Sequence, residues 1–318
     1  SKGLMKIYIN KYIKNINLII FIILLNLSTK ASFGIENKII LKIDNEIITS
    51  LDIEKETKYL LFLNPNANTL TNDQIYQISK NSLIREKIKK REILKNFEKT
   101  EIEKNILNNF IENMFNKIGL TSKSDFVNYL NKNKLNLNYV EEKIKLEINW
   151  NRLIYSKFQS KLKINTKEIK DQILKNKRTG SKQYFLQEIL FDIKENENLN
   201  IKYDKLIKNI KSQGFEKTAL IYSISNTSQN NGNIGWVKAS SLNKNILNKI
   251  ENIKIDEITT PIRIPGGFLL LKVLDKKFQS ENIDIEKEME KIVKIKTNEQ
   301  LNQYSLIFYN KIKKDIPI

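Results

Sequence analysis

Residues 263–273 read RIPGGFLLLKV, a Pro-Gly-Gly turn followed by a run that is apolar almost throughout. Proline presets a turn and glycine admits backbone angles that other residues resist. The spacing predicts one strand near 261–264, a reversal, and a second strand over 267–275. That second strand carries Phe268, Leu269, Leu270 and Leu271, in a chain with no histidine and no cysteine. Those two absences exclude disulfides, thiol nucleophiles and thiolate metal sites. They also remove the commonest general base and the commonest metal ligand. No metal site is expected, and no Gly-rich phosphate loop calls for a nucleotide or other cofactor.

Outward from that stretch, glycine marks the organisation. Six of the nine glycines (Gly180, Gly214, Gly232, Gly235, Gly266, Gly267) fall between 180 and 267. Gly-poor flanks read as helical, so the composition shift is taken as a domain boundary. Within the Gly-containing part, QYFLQEILFD (183–192) reads as a strand and 199–213 as a helix, with a short helix over 215–220. A polar loop then runs to Trp236, and 242–250 is an amphipathic helix. Ahead of this part, KIILKIDNEIITS reads as two short strands turning at Asp44-Asn45, with Ser50 capping a helix. From about 71 to 160 apolar residues recur at helical spacing, as in Ile102, Ile106, Phe110 and Met114. A linker helix follows Asn165 or Thr166, and a long helix returns over 283–312. The fold class is α+β, an antiparallel sheet with packed helices inside a mostly helical chain.

The first 34 residues have a basic start at Lys6, Lys11 and Lys14, an apolar run from Leu18 to Leu25, and small polar residues after it. This is the form of a secretory signal peptide, too short to span a bilayer, with cleavage expected after Ala31 or Gly34. Export without cysteine fits the periplasm of a Gram-negative bacterium, with no stable membrane insertion after cleavage. The formal charge is +19; Lys2, Lys6, Lys11, Lys14 and Lys30 lie in the leader, leaving +14 for the remainder. Without basic blocks interleaved with aromatics, that charge does not point to nucleic acid.

FLQEIL, NNGNIGW, DEITTPI and PGGFLLLKV, in that order and spacing, resemble the parvulin-type (PpiC, rotamase) peptidyl-prolyl isomerase domain. With KIDNEIITSLDIEKE and helices before it and one long helix after it, the layout is similar to SurA, the periplasmic chaperones of outer-membrane protein assembly. SurA proteins commonly carry two isomerase domains; this chain has room for one. The resemblance implies a signal peptide over 1–34, an N-terminal helical chaperone domain over 35–164 and a linker helix over 165–180. It further implies a parvulin-like domain over 181–277, with a C-terminal helix and strand (278–318) packing on the N-terminal domain. The strand around Ile316–Ile318 is expected to pair near Ile39–Ile43.

Carried over residue by residue, the family's strand histidines fall at Glu188 and Leu269, and its acidic or thiol position falls at Ser225. The hydroxyl residues ahead of the last motif fall at Ile264 and Gly266. No catalytic position is intact. The resemblance places the substrate-binding groove at Ile234, Trp236, Leu242, Ile246 and Phe268, with Ile246 where the family often has Phe. Prolyl isomerisation must lower a rotation barrier of roughly 18–20 kcal/mol by favouring the twisted amide. A groove that binds planar and twisted forms equally gives little rate. The resemblance therefore implies a chaperone for unfolded outer-membrane β-barrel proteins, gripping proline- or aromatic-rich segments, with the barrel assembly machinery as a candidate partner. Two alternatives stand beside it. One is an active isomerase with an unconventional centre built on Glu188, Ser225 or Tyr222, and the other is a basic protein that binds anionic lipid.

Overall fold

The computed structural model describes residues 37–317, apart from residue 195 and residues 280–283. The expected leader over 1–34 lies outside the described residues, as does Ile318. Strands β1 (Ile39–Ile43) and β2 (Glu46–Thr49) pair antiparallel. Asp44 makes the reversal at φ 53°, a left-handed angle that Asp tolerates better than most residues. Helix α1 (Ser50–Leu63) starts at once, but its cap is Thr49 rather than Ser50. Asp52 N donates to Thr49 Oγ1 at 3.3 Å, and Thr49 N donates to Asp52 Oδ2 at 2.8 Å. Thr49 wins because, as the last strand residue, it already has the extended backbone that a cap requires.

Four further helices build the N-terminal body: α2 (Asn72–Asn96), α3 (Lys104–Lys117), α4 (Lys123–Lys132) and α5 (Leu137–Phe158). Apolar stripes of α1, α3, α4 and α5 meet in a cluster containing Phe62 of α1, Ile111 and Phe115 of α3, Phe126 of α4 and Val140 of α5. The buried face of α3 is Leu107, Ile111 and Phe115, whereas Ile106 and Phe110 of the stripe read from sequence stay exposed. A charged network is buried where α1, α2 and α5 meet. Lys143 donates to both Glu56 and Glu86. Tyr139 Oη and Ser82 Oγ donate to Glu56 at 2.8 and 2.7 Å. Two carboxylates thus share one ammonium. Burial, then the negative charge of Glu56, pushes the Glu86 carboxyl up to about 7, with Lys143 opposing.

After helix α6 (Thr166–Thr179) the chain enters a four-stranded antiparallel sheet. Its strands are β3 (Ser181–Phe191), β4 (Asn233–Lys238), β5 (Ile262–Ile264) and β6 (Gly267–Gln279), in the spatial order β4-β3-β6-β5. Helices α7 (Leu199–Gln213) and α8 (Phe215–Tyr222) follow β3, and α9 (Lys244–Ile250) follows β4. Both sheet faces are covered over part of their length, which is why the opening strand is apolar nearly throughout. Leu269, Leu271 and Val273 pack with Tyr184, Leu186 and Ile250 on one face. Phe268 and Leu270 pack with Ile189, Phe191 and Leu206 on the other. The two turn glycines have separate reasons. Gly266 has φ 93°, and a Cβ on Gly267 would stand 2.5 Å from Phe191 O.

The last helix, α10 (Ile285–Lys314), returns to the N-terminal body. Its Ile292 packs with Ile169 and Ile173 of α6. Leu301, Tyr304 and Phe308 pack around Trp150 and Leu153 of α5. Trp150 is 1% exposed and donates to Ser305 Oγ at 2.8 Å. The expected terminal strand does not form over Ile316 and Pro317. Instead Ile316 drops its side chain into the cluster of Ile43, Ile48, Ile53 and Ile88. One apolar plug closes the hairpin's buried side, so no third ladder is needed there.

Candidate functional site

Successive side chains of a strand alternate between faces, and this sorts the predicted residues. In the β3–β6 register Glu188 lies opposite Leu271 and Leu190 opposite Leu269, all on the face that α9 covers. Ile189–Leu270 and Phe191–Phe268 are the pairs of the other face. Leu269 is 5% exposed, so the position matched to a family histidine is packed hydrocarbon.

The loop after α8 brings hydroxyls to Glu188. Ile224 N donates to Leu190 O at 2.7 Å, and Leu190 N donates to Ser223 Oγ at 3.0 Å, clamping that loop against β3. Two residues on, Ser225 Oγ donates to Glu188 Oε1 at 2.6 Å, and Thr227 Oγ1 donates to the same oxygen at 2.7 Å. Gly232 closes the loop from the other side. Its carbonyl accepts from Glu188 N at 2.7 Å, and a Cβ on it would lie 2.3 Å from Glu188 O. Glu188 is thus held through both its side chain and its backbone.

The structure brings Glu188 and Ser225 together and adds Thr227, which sequence reasoning missed. The available signal was the hydroxyl pair at i and i+2 just ahead of Asn231-Gly232. Tyr222 does not join them. It packs with the Phe191 cluster, and its hydroxyl donates to Asn209 Oδ1 at 3.5 Å.

The five expected groove residues do not converge. Leu242 and Ile246 pack on the Leu269 face. Phe268 packs against Phe191 on the other face, with ring centroids 5.9 Å apart. Trp236 lies opposite Phe185, 41% exposed, with Lys277 Nζ 4.2 Å from its ring centroid. Ile234 is 40% exposed at the bulge in the β3–β4 register. The candidate site is therefore the Leu269 face: Leu190, Leu242 and Ile246 as apolar surface, with Glu188, Ser225 and Thr227 as its polar group.

Chemically, that group is an acceptor. Twisting a prolyl amide localises a lone pair on nitrogen, so a donor aimed at that nitrogen favours the twisted state. Glu188 offers a carboxylate, and the hydroxyls of Ser225 and Thr227 are already spent on its Oε1. No group of three or more Asp or Glu with metal-site spacing occurs among the described residues. No described helix is long and apolar enough to cross a membrane.

Residues 188–275 match the PPIC-type PPIASE (rotamase) domain family. Chaperone SurA of Chromobacterium violaceum is 26% identical over 182 residues, which is 55% of this chain and 42% of that protein. Periplasmic chaperone PpiD of Buchnera aphidicola is 32% identical over 250 residues, 77% of this chain and 37% of that protein. A solved SurA-like chaperone of Campylobacter jejuni covers 87% of this chain and 96% of its own, at 16% identity and TM-score 0.28. The chain spans about two fifths of the length of these curated relatives. It carries a PpiC-type peptidyl-prolyl isomerase domain within a helical body, and it is SurA-like.

Proposed function

We propose that the chain is a periplasmic chaperone that holds unfolded outer-membrane β-barrel proteins, and that its parvulin-type domain grips clients without efficient isomerisation. The observation that carries this reading is the state of the Leu269 face. Of the two positions that the resemblance matches to histidines, Leu269 is buried hydrocarbon and Glu188 is a carboxylate engaged by Ser225 and Thr227. Such a face can desolvate an apolar segment. The hydroxyls of Ser225 and Thr227, both donating to Glu188, are not free to favour a twisted amide over a planar one. Exposed apolar residues elsewhere, such as Phe110 and Ile106 on α3, offer further weak contacts, and several weak contacts hold a mobile chain by avidity. A β-barrel client, with alternating aromatic and aliphatic residues, matches that demand. The barrel assembly machinery remains a candidate downstream partner.

Two measurements on the full chain test this. Near-stoichiometric protein should suppress aggregation of a urea-unfolded outer-membrane barrel on dilution. In a protease-coupled assay on an Ala-Pro peptide it should stay at the uncatalysed rate. Turnover typical of histidine-bearing parvulins, lost in Glu188→Ala, would establish the isomerase instead. The short Ser225–Glu188–Thr227 cluster is the observation that favours that second reading.

A further inference from the structure

Asn231-Gly232 is the only Asn-Gly step in the chain, and it closes the loop that holds Glu188. Where the backbone is free such a pair reacts with itself, because glycine puts no side chain in the way of its own nitrogen. Gly232 N attacks Asn231 Cγ, the Cγ–Nδ2 bond breaks, and the displaced nitrogen leaves with the Gly232 amide proton as ammonia. Water then opens the cyclic succinimide at either carbonyl. One opening gives aspartate, and the other gives isoaspartate, whose main chain runs through Cγ. An ammonia is lost, a water is consumed, and neither oxidant nor metal takes part.

The fold withholds each party to that reaction. The nucleophile is engaged, since Gly232 is buried and its N donates to Thr227 O at 2.9 Å. The electrophile is tethered, since Asn231 Oδ1 accepts from Asn64 Nδ2 at 2.7 Å. The bond between them is also turned the wrong way. Asn231 has φ 56° and ψ 27°, a left-handed conformation that asparagine tolerates. At that ψ its Cβ points away from Gly232 N about the Cα–C bond. Ring closure requires the peptide to turn over, which pulls Gly232 N off Thr227 O.

We infer that Asn231-Gly232 is a latent modification site, silent in the closed loop and converted to isoaspartate and aspartate while the loop is open. The change is one-way, so it records loop opening. Aspartate keeps an oxygen for Asn64 to donate to. Isoaspartate lengthens the main chain by a carbon, and Gly232 has no slack to take it up. Its carbonyl accepts from Glu188 N at 2.7 Å, and a Cβ on it would lie 2.3 Å from Glu188 O and 2.9 Å from Ala219 Cβ. Ser225 and Thr227 reach Glu188 from this same loop at 2.6 and 2.7 Å, so isoaspartate at 231 dismantles the polar group of the candidate site.

The test incubates the full chain in warm, mildly alkaline buffer, with and without urea, and follows residue 231 by peptide mass spectrometry. Isoaspartate is scored apart from aspartate by electron-transfer fragmentation. The native chain should modify at least about tenfold more slowly than the chain in urea, a ratio worth ~1.4 kcal/mol of loop closure. Asn64→Ala unties Asn231 and should raise the native rate about fivefold, as expected for one lost hydrogen bond. Glu188→Ala releases Ser225 and Thr227 and should raise it as well. Neither variant should alter the rate in urea. Because the two act on opposite sides of the loop, one that fails to fold leaves the other decisive. Equal rates in native buffer and in urea would refute the inference. So would a native rate that neither variant changes, or a urea-unfolded chain that gains no isoaspartate at 231.

Discussion

Glu86 shows what single residues contribute. Its side chain is only 22% exposed, and it shares Lys143 with Glu56. Its folded pKa of about 7 lies above the ordinary carboxyl value of 4.5. The folded state therefore binds more protons than the unfolded state between those values. The stabilisation is complete below about pH 4.5 and is lost as pH rises through 7. Denaturant titrations should show the protein more stable near pH 5.5 than near pH 8, and Glu86→Gln should flatten that slope. Lys143→Met should cost roughly 3–5 kcal/mol at neutral pH, because it leaves buried carboxylates uncompensated. A slope that is unchanged in Glu86→Gln would assign the dependence to another group.

At the scale of elements, the loop from Ser223 to Gly232 is fixed by β3 and in turn fixes Glu188. Gly232 has φ 74° and meets Glu188 O, whereas Gly119 has φ 78° with open space around it. Gly119→Ala should cost about 1 kcal/mol from the left-handed backbone alone. Gly232→Ala should cost clearly more, about 2–3 kcal/mol, because Cβ and carbonyl cannot share the space. Equal unfolding midpoints for the two variants would show that the loop yields. The same comparison explains what could be read from sequence. RIPGGFLLLKV yielded its turn and both strands because proline, glycine and alternation act locally. Glu188 and Ser225 were placed by family motif. Thr227 escaped because its role depends on a loop returning to β3, and a Ser/Asn/Thr-rich loop looks alike whether it is fixed or free. The cap falls on Thr49, one residue ahead of Ser50, because strand and helix abut with no linker. The groove residues split because alternation assigns a strand's two faces without saying which one a helix covers. Helix α10 carries apolar residues all around, Ile292, Leu301, Leu306 and Phe308 among them. That pattern signals burial on several sides and does not name the partners.

For the whole molecule, the chain leaves the N-terminal body along α6, builds the sheet unit, and returns along α10 to bury Ile316 beside Ile43. The first described strand and the last described helix are therefore joined in one core. With a formal charge of +19, the proposed capture of acidic clients should slow as salt is raised. The placement of the two tryptophans has an optical consequence. Trp150 is sealed between α5 and α10, whereas Trp236 stands open on β4 beneath Lys277. Emission should resolve into a blue component indifferent to iodide and a red component that iodide extinguishes. Trp236→Phe should abolish only the second. Each half of the protein then carries its own lamp, and a client that dims one without the other reveals where it has landed.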